Sequence, residues 1–400
     1  MLILHRREFL KIGSLATAAM LVPRFLKAFE QPGLSEGQKV LVIIQLSGGN
    51  DGLNTVIPYR NDIYYASRPQ LAIPKTQVVG LTDEQGLHPA LEGLKELYEN
   101  GELAILNSVG YPNPDRSHFR SMDIWQTASD SQQVLTTGWV GRYLDAQCSG
   151  CPHPSVQAIE VDDTLSKAMK GAQYTGLAVH DPTQLHRASD DPFFREILKK
   201  PVVDDDHLQV DYLYKVMAET LSSADYLYDQ ARLYHEDGQY PDTQIGKDMK
   251  TVASLILAGL PTRVYYLSLG SFDTHVNQQP QQQRLFKQLN DAILAFRNDL
   301  KKHNRFQDVM IITFSEFGRR VSQNASAGTD HGTANCMFLI SGGLKRQGVL
   351  NAPPDLQNLD QGDLHYEIDF KQVYATILNK WLEANDQLIL GKNYTYLDFI

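Results

Sequence analysis

Three runs of apolar, largely β-branched or aromatic residues each end abruptly at a polar, glycine-bearing loop. Val40–Leu46 stops at Ser47-Gly48-Gly49-Asn50-Asp51, and Val264–Leu269 at Gly270-Ser271-Phe272-Asp273-Thr274-His275. Val309–Phe314 stops at Ser315-Glu316-Phe317-Gly318-Arg319-Arg320. A strand that is apolar at nearly every position is buried on both faces, as in a parallel sheet with helices above and below. In such sheets ligands bind outside the carboxyl ends of the strands, so the text after each run carries the chemistry.

The rest of the chain fills in that frame. Residues 103–106, 156–161 and 177–179 read as further strands, with a helix between the last two. Pro89 opens a helix over 89–100 that Gly101 closes, and 116–127 reads as another helix. Leu213, Val216, Met217, Leu221, Ala224 and Leu227 recur at helical spacing, as do Leu285, Leu289, Ala292, Ile293 and Phe296. The expectation is an α/β fold with a mostly parallel central sheet, helices on both faces and a helical insertion. Residues 39–400 form a single α/β domain in this reading.

The first residues read as an address. Arg6-Arg7-Glu8-Phe9-Leu10-Lys11 precedes an Ala-, Gly- and Leu-rich stretch at 12–22, the pattern of a twin-arginine export signal. Residues 1–28 are then the signal segment and 29–38 a linker. The partner implied is the twin-arginine export machinery, and the destination is the periplasm or the cell surface of a bacterium. Leu26-Lys27-Ala28 is a poor cleavage site, which leaves an uncleaved signal anchor as one outcome. Beyond this stretch no apolar run reaches the length of a membrane span. A formal net charge of −10 argues against nucleic acid as a partner. Cys148 and Cys151 suit a local disulfide after export, and Cys336 a place in the core.

Four strand-adjacent loops supply Asp51, Asp273, His275, Glu316, Asp330 and His331. Mixed carboxylates and imidazoles suit Zn, Mn or Fe, and carboxylates alone suit Mg or Ca. Each loop has a plainer reading: Gly48-Gly49-Asn50-Asp51-Gly52 as a tight turn, Asp273 as a helix cap, His331 as a hydrogen-bonded structural histidine. Their joint placement after successive strands points to a metal or anion site. Ser117 stands where a helix begins, a position that favours phosphate or sulfate and serves equally well for an N-cap.

Taken together, Arg-Arg-x-Phe-Leu, Leu-Ser-Gly-Gly-Asn-Asp-Gly-Leu-Asn, Leu87-His88-Pro89-Ala90-Leu91, Arg116-Ser117-His118-Phe119, Thr137-Gly138-Trp139-Val140-Gly141-Arg142, Phe272-Asp273-Thr274-His275, Ser315-Glu316-Phe317-Gly318-Arg319 and Asp330-His331-Gly332 resemble the family known as domain of unknown function 1501. That family is grouped with the alkaline phosphatase and sulfatase superfamily, whose members hydrolyse or transfer phosphate and sulfate esters, usually with two metal ions. The resemblance implies Asp51, Asp273, His275, Glu316 and His331 as ligands of one or two divalent ions (Zn, Mn, Fe or Ca). It implies Ser117 as nucleophile, with Arg319 or Arg320 neutralising the ester oxygens. One departure stands out: Phe317 occupies the place of a metal-binding histidine and cannot ligate. The centre then holds one metal, uses Asp330 or His118 as a substitute, or holds none. The function implied is an exported metal-dependent hydrolase acting on a small-molecule or polysaccharide anionic ester. The alternative is a catalytically weakened secreted protein that binds anionic polysaccharide or a protein partner.

Overall fold

The computed structural model describes residues 37–151, 153–192, 220, 223–231 and 238–400. The twin-arginine segment, most of the linker and Leu213, Val216, Met217 and Leu221 of the first helical stripe lie outside the described residues. Ala224 and Leu227 from the same stripe are buried.

Nine strands form the central sheet: β1 (Val40–Leu46), β2 (Leu103–Gly110), β3 (Ala158–Glu160), β4 (Leu177–Ala178), β5 (Val264–Leu269), β6 (Val309–Phe314), β7 (Asn335–Ile340), β8 (Gly348–Val349) and β9 (Ile368–Asp369). Their spatial order is β8-β2-β7-β6-β1-β5-β3-β4, with β9 also pairing with β2. The three apolar runs lie side by side at the centre, where β1 pairs in parallel with both β5 and β6. Only β7 is antiparallel to its neighbours, β6 and β2. That reversal matters for the site, because the segment entering β7 reaches the same edge that β1, β5 and β6 leave.

Alternate residues of these strands feed two separate cores. Val40, Val42 and Ile44 of β1 pack with α1 (Glu92–Glu99), α4 (Gln244–Leu257) and α5 (Gln278–Lys302). Leu41 and Ile43 face the opposite way, toward α2 (His118–Thr127), α3 (Trp139–Gln147) and α6 (Phe370–Thr376). The mostly parallel sheet with helices on both faces is therefore as the apolar runs foretold. The stripe Leu285, Leu289, Ala292, Ile293 and Phe296 is fully packed, as the inner face of the 25-residue α5.

Differences are local. The strand expected at 103–106 continues to Gly110, and the helix expected from residue 89 opens with a 3₁₀ turn at Pro89–Leu91. Only a 3₁₀ turn, Lys167–Met169, stands where a helix was expected between β3 and β4. Cys148 and Cys151 are both free thiols, and burial pushes the Cys148 thiol up.

Two packing details set up the site. Trp125 of α2 stacks on Phe370 and Phe314, at ring separations of 4.1 and 5.1 Å, which fixes α2 against the sheet. Burial of so large a ring is worth about 3–5 kcal/mol against alanine. The chain before α2 is tied by Tyr111, whose hydroxyl accepts from the Asp115 amide at 3.2 Å and bonds Ser121 at 3.1 Å. Among the described residues, no helix is long and apolar enough to cross a membrane.

Candidate metal centre

Three histidines and one aspartate meet at the carboxyl edge of the sheet. Asp273 and His275 lie on the loop after β5, His331 on the segment entering β7, and His118 is the first residue of α2. Asp273 Oδ1 lies 3.0 Å from His275 Nε2, 3.3 Å from His331 Nε2 and 3.5 Å from His118 Nε2. The two nitrogens His275 Nε2 and His331 Nε2 approach to 2.9 Å. Ligand atoms of His118, Asp273 and His331 all fall within 4.8 Å of one another, a span that suits a single ion.

The far side of each imidazole explains why the near sides face one another. His118 Nδ1 meets Glu316 Oε1 at 2.8 Å, His331 Nδ1 meets the Arg116 carbonyl at 2.8 Å, and His275 Nδ1 meets Asp330 Oδ1 at 3.3 Å. All three partners are acceptors, which favours the proton on Nδ1 and, in a neutral ring, leaves Nε2 to present a lone pair to an ion at the centre. His118 Nε2 is buried and has no hydrogen-bond partner. Lone pairs gathered on one point repel unless a cation or a shared proton lies among them.

Charge around the centre follows the same logic. The hydrogen bond and charge of Glu316 raise the His118 pKa against the opposing effect of burial. Burial lowers that of His331. Desolvation works to raise the Asp273 carboxyl, but Arg319, His275 and His118 outweigh it and hold the group below its ordinary value. Asp273 remains about half exposed, at 47%, so the centre opens to solvent.

Arg319 is buried, and its hydrogen bonds go inward. It donates to the carbonyls of Gly49 at 2.6 Å, Thr329 at 2.8 Å and Phe272 at 3.0 Å, to Gly48, and to Asp273 Oδ1 at 2.7 Å. One guanidinium thus ties together the loops after β1 and β5 and the segment before β7. The loop after β1 can approach so closely because of its glycines: a Cβ on Gly48 would lie 2.4 Å from the Asp273 amide, and both Gly48 and Gly49 have positive φ.

Asp51 does not join the cluster. Its Oδ2 pairs with Arg68 at 2.6 Å and accepts from Gln278, all three residues being buried. Gln278 in turn accepts from Thr329 Oγ1 at 2.6 Å and Thr274 Oγ1 at 3.2 Å, residues that flank Asp273 and His331 in sequence. Glu316 turns to His118 and to the Gly48 amide, 2.8 Å away, and reaches the centre only through that imidazole. Phe317 is buried beneath the cluster, its ring 4.8 Å from His118 and 4.7 Å from His331. Ser117 is the exposed N-cap residue of α2, next to His118, and its hydroxyl does not cap the helix.

Of the residues singled out by sequence, Asp273, His275 and His331 converge, Glu316 supports them, Arg319 lies behind them, and Asp51 stands apart. His118, weighed only as a substitute ligand, is a full member. Arg68 and Gln278 carried no sequence signal. His118 could have been found by its place directly after Ser117 at the helix start.

The chain belongs to the family described as a protein of unknown function, DUF1501, whose model matches residues 110–391. That span contains His118, Asp273, His275 and His331. No curated protein matches the sequence. Among solved structures, the chain is similar to the PsFucS1 sulfatase from Pseudoalteromonas sp., at 11% identity and a TM-score of 0.40, covering 90% of this chain and 71% of that one. It is similar to a protein in the alkaline phosphatase superfamily from Vibrio parahaemolyticus, at 11% identity, a TM-score of 0.38 and coverage of 90% and 71%. A third is the phosphonate monoester hydrolase SpPMH from Silicibacter pomeroyi, at 10% identity, a TM-score of 0.38 and coverage of 89% and 77%. The activities in these names are those of the named proteins.

Proposed function

We propose that this chain is an exported, metal-dependent hydrolase of phosphate or sulfate esters. The observation that carries the reading is the convergence of His118, His275 and His331 Nε2 on Asp273 Oδ1, with every Nδ1 held by an acceptor. Three imidazoles and one carboxylate suit Zn, Mn or Fe better than the oxygen-seeking Ca or Mg. A metal held by His118, Asp273 and His331, with His275 beside them, would supply Lewis acidity toward an ester oxygen and lower the pKa of a hydroxyl or water beside it.

The chain's own groups account for the remaining requirements. Ser117 is the candidate nucleophile: its hydroxyl is exposed, free of capping duty and adjacent to His118. The first-turn N–H groups of α2 favour negative charge developing at that point. Arg319 acts by position, keeping Asp273 ionised and the loops in register. Glu316, Asp330 and the Arg116 carbonyl fix the imidazole orientations.

Elemental analysis of wild-type protein beside His331→Ala and Ser117→Ala tests this reading. About one Zn, Mn or Fe per chain is expected, lost in His331→Ala and kept in Ser117→Ala, with ester hydrolysis lost in both. A folded wild type that holds no metal after incubation with these ions overturns it. Bound metal without hydrolysis of any aryl phosphate or sulfate favours the binding protein instead.

A further inference from the structure

One buried carboxylate behind the centre holds two arginines. Asp363 is fully buried, on the short hairpin formed by Leu359–Asp360 and Asp363–Leu364. Arg116 Nε donates to its Oδ2 at 2.7 Å, with Nη2 on the same oxygen, and Arg320 Nε donates to Oδ1 at 3.3 Å. Arg320 is steadied further by Nη2 on the Gln361 carbonyl at 2.8 Å. Two guanidiniums around one carboxylate leave one positive charge within this trio, with the Asp330 carboxyl a further charge beside Arg320. Both arginine side chains remain partly exposed, at 38% and 41%. Side chains this ordered bind an anion with less entropy to lose than free surface arginines.

Their position relative to the centre is set by His331. That ring turns Nε2 to the cluster and Nδ1 to the Arg116 carbonyl, so the Arg116 backbone lies on its far side. Arg320 approaches from the same strap: Arg319 bridges to His331, and the Arg320 amide donates to the Asp330 carbonyl at 3.0 Å. A cavity of about 180 Å³ lies against the hairpin, lined by Phe317, whose ring also underlies His118 and His331, and by Asp360 and Leu364, while the two arginines stand outside its lining.

We infer that Arg116 and Arg320 seat a second anionic group of the substrate, separate from the ester that reacts at the histidine centre. The substrate class is thus an ester carrying at least two negative groups. This rests on the ester-hydrolase reading above, with Asp363 as the positioning residue for both arginines.

The test uses metal-loaded full-length protein and unreactive probes: alkanemonosulfonates against α,ω-alkanedisulfonates of three to six carbons, at matched ionic strength. Wild type should bind at least one disulfonate about tenfold more tightly than the monosulfonate of equal length. That ratio should fall to near unity in Arg116→Gln and in Arg320→Gln, with metal content unchanged in Arg320→Gln. Asp363→Asn adds positive charge yet should also lower the ratio, because the arginines lose their shared anchor. No preference at any length, or a preference that survives both arginine substitutions, overturns the inference. Failure of the hydrolase reading is seen separately, as absence of bound metal and of monosulfonate affinity in the wild type.

Discussion

Two carboxylates follow two neighbouring strands of the same sheet, Asp51 after β1 and Asp273 after β5, and the fold uses them in opposite ways. Asp51 is buried against a buried arginine, Arg68, at 2.6 Å. Asp273 is half exposed and faces three imidazole nitrogens. Around Asp51, Arg68 and Gln278 serve Oδ2 while the buried Oδ1 has no hydrogen-bond partner, and Arg68 also serves Asn54 Oδ1 at 2.9 Å and the Val321 and Arg320 carbonyls at 2.7 and 2.8 Å. Around Asp273 three imidazoles crowd one carboxylate, and among the described residues Arg319 is the guanidinium that reaches it. A buried carboxylate paired with a buried guanidinium stabilises structure, whereas a cluster of side chains open to solvent is available for a ligand. The difference lies in the partners, not in the residue type or its place after a strand.

The sharpest way to break the comparison is to unbalance the closed network. Replacing Arg68 with methionine leaves Asp51 buried without its cation, and should cost about 3–5 kcal/mol in urea unfolding. A loss below about 1 kcal/mol would mean that Asp51 protonates or reaches water, and the contrast between the two carboxylates would collapse.

The centre should respond through affinity instead. Glu316 touches the cluster only by orienting His118, so Glu316→Gln should weaken metal binding by about 10–100-fold while sparing the fold. Competition with a chromophoric chelator measures this, and unchanged affinity would remove Glu316 from the site.

A third kind of histidine sharpens the picture further. His88 is buried, accepts from the Ala90 amide at 3.1 Å through Nδ1 and packs edge-on against Phe286. Burial lowers its pKa from 6.5 to about 4, so the folded state keeps it neutral where the unfolded chain takes up a proton. Stability from this residue is complete well above pH 6.5 and is lost as pH falls from there toward 4. Between pH 7 and 5 the loss should be on the order of 2 kcal/mol in metal-free protein, and largely absent in His88→Gln. An equal loss in that variant would assign the acid sensitivity to other groups.

Sequence made the frame readable because apolar runs report burial directly. Val40–Leu46, Val264–Leu269 and Val309–Phe314 read as buried strands, and in a parallel sheet the loops that follow them share an edge. It also brought Asp273, His275 and His331 into one neighbourhood, since each adjoins a central strand. It could not separate Asp51 from them, because the separating facts are Arg68 and Gln278, which reach it from 17 and 227 positions away. Nor could it assign Arg319, whose role depends on five acceptors from three segments. The anchor of Arg116 and Arg320 was equally hidden, since Asp363 lies on a hairpin of two-residue strands with no periodicity to announce it.

The smallest expected effect is the most telling. Asp273→Asn removes the charge on which the histidines converge, and in chelator-treated protein it should change unfolding stability by less than about 1 kcal/mol. The argument is that a half-exposed carboxylate has given up little hydration, so losing its charge recovers little. Arg319 keeps the Gly48, Gly49, Phe272 and Thr329 carbonyls, so the loops stay tied without it. With metal supplied, the wild type should gain stability by mass action and the variant far less. Thermal unfolding of both proteins with and without Zn or Mn reads all four states. If the two gain equally, the ion sits elsewhere and the open carboxylate is as structural as the closed one.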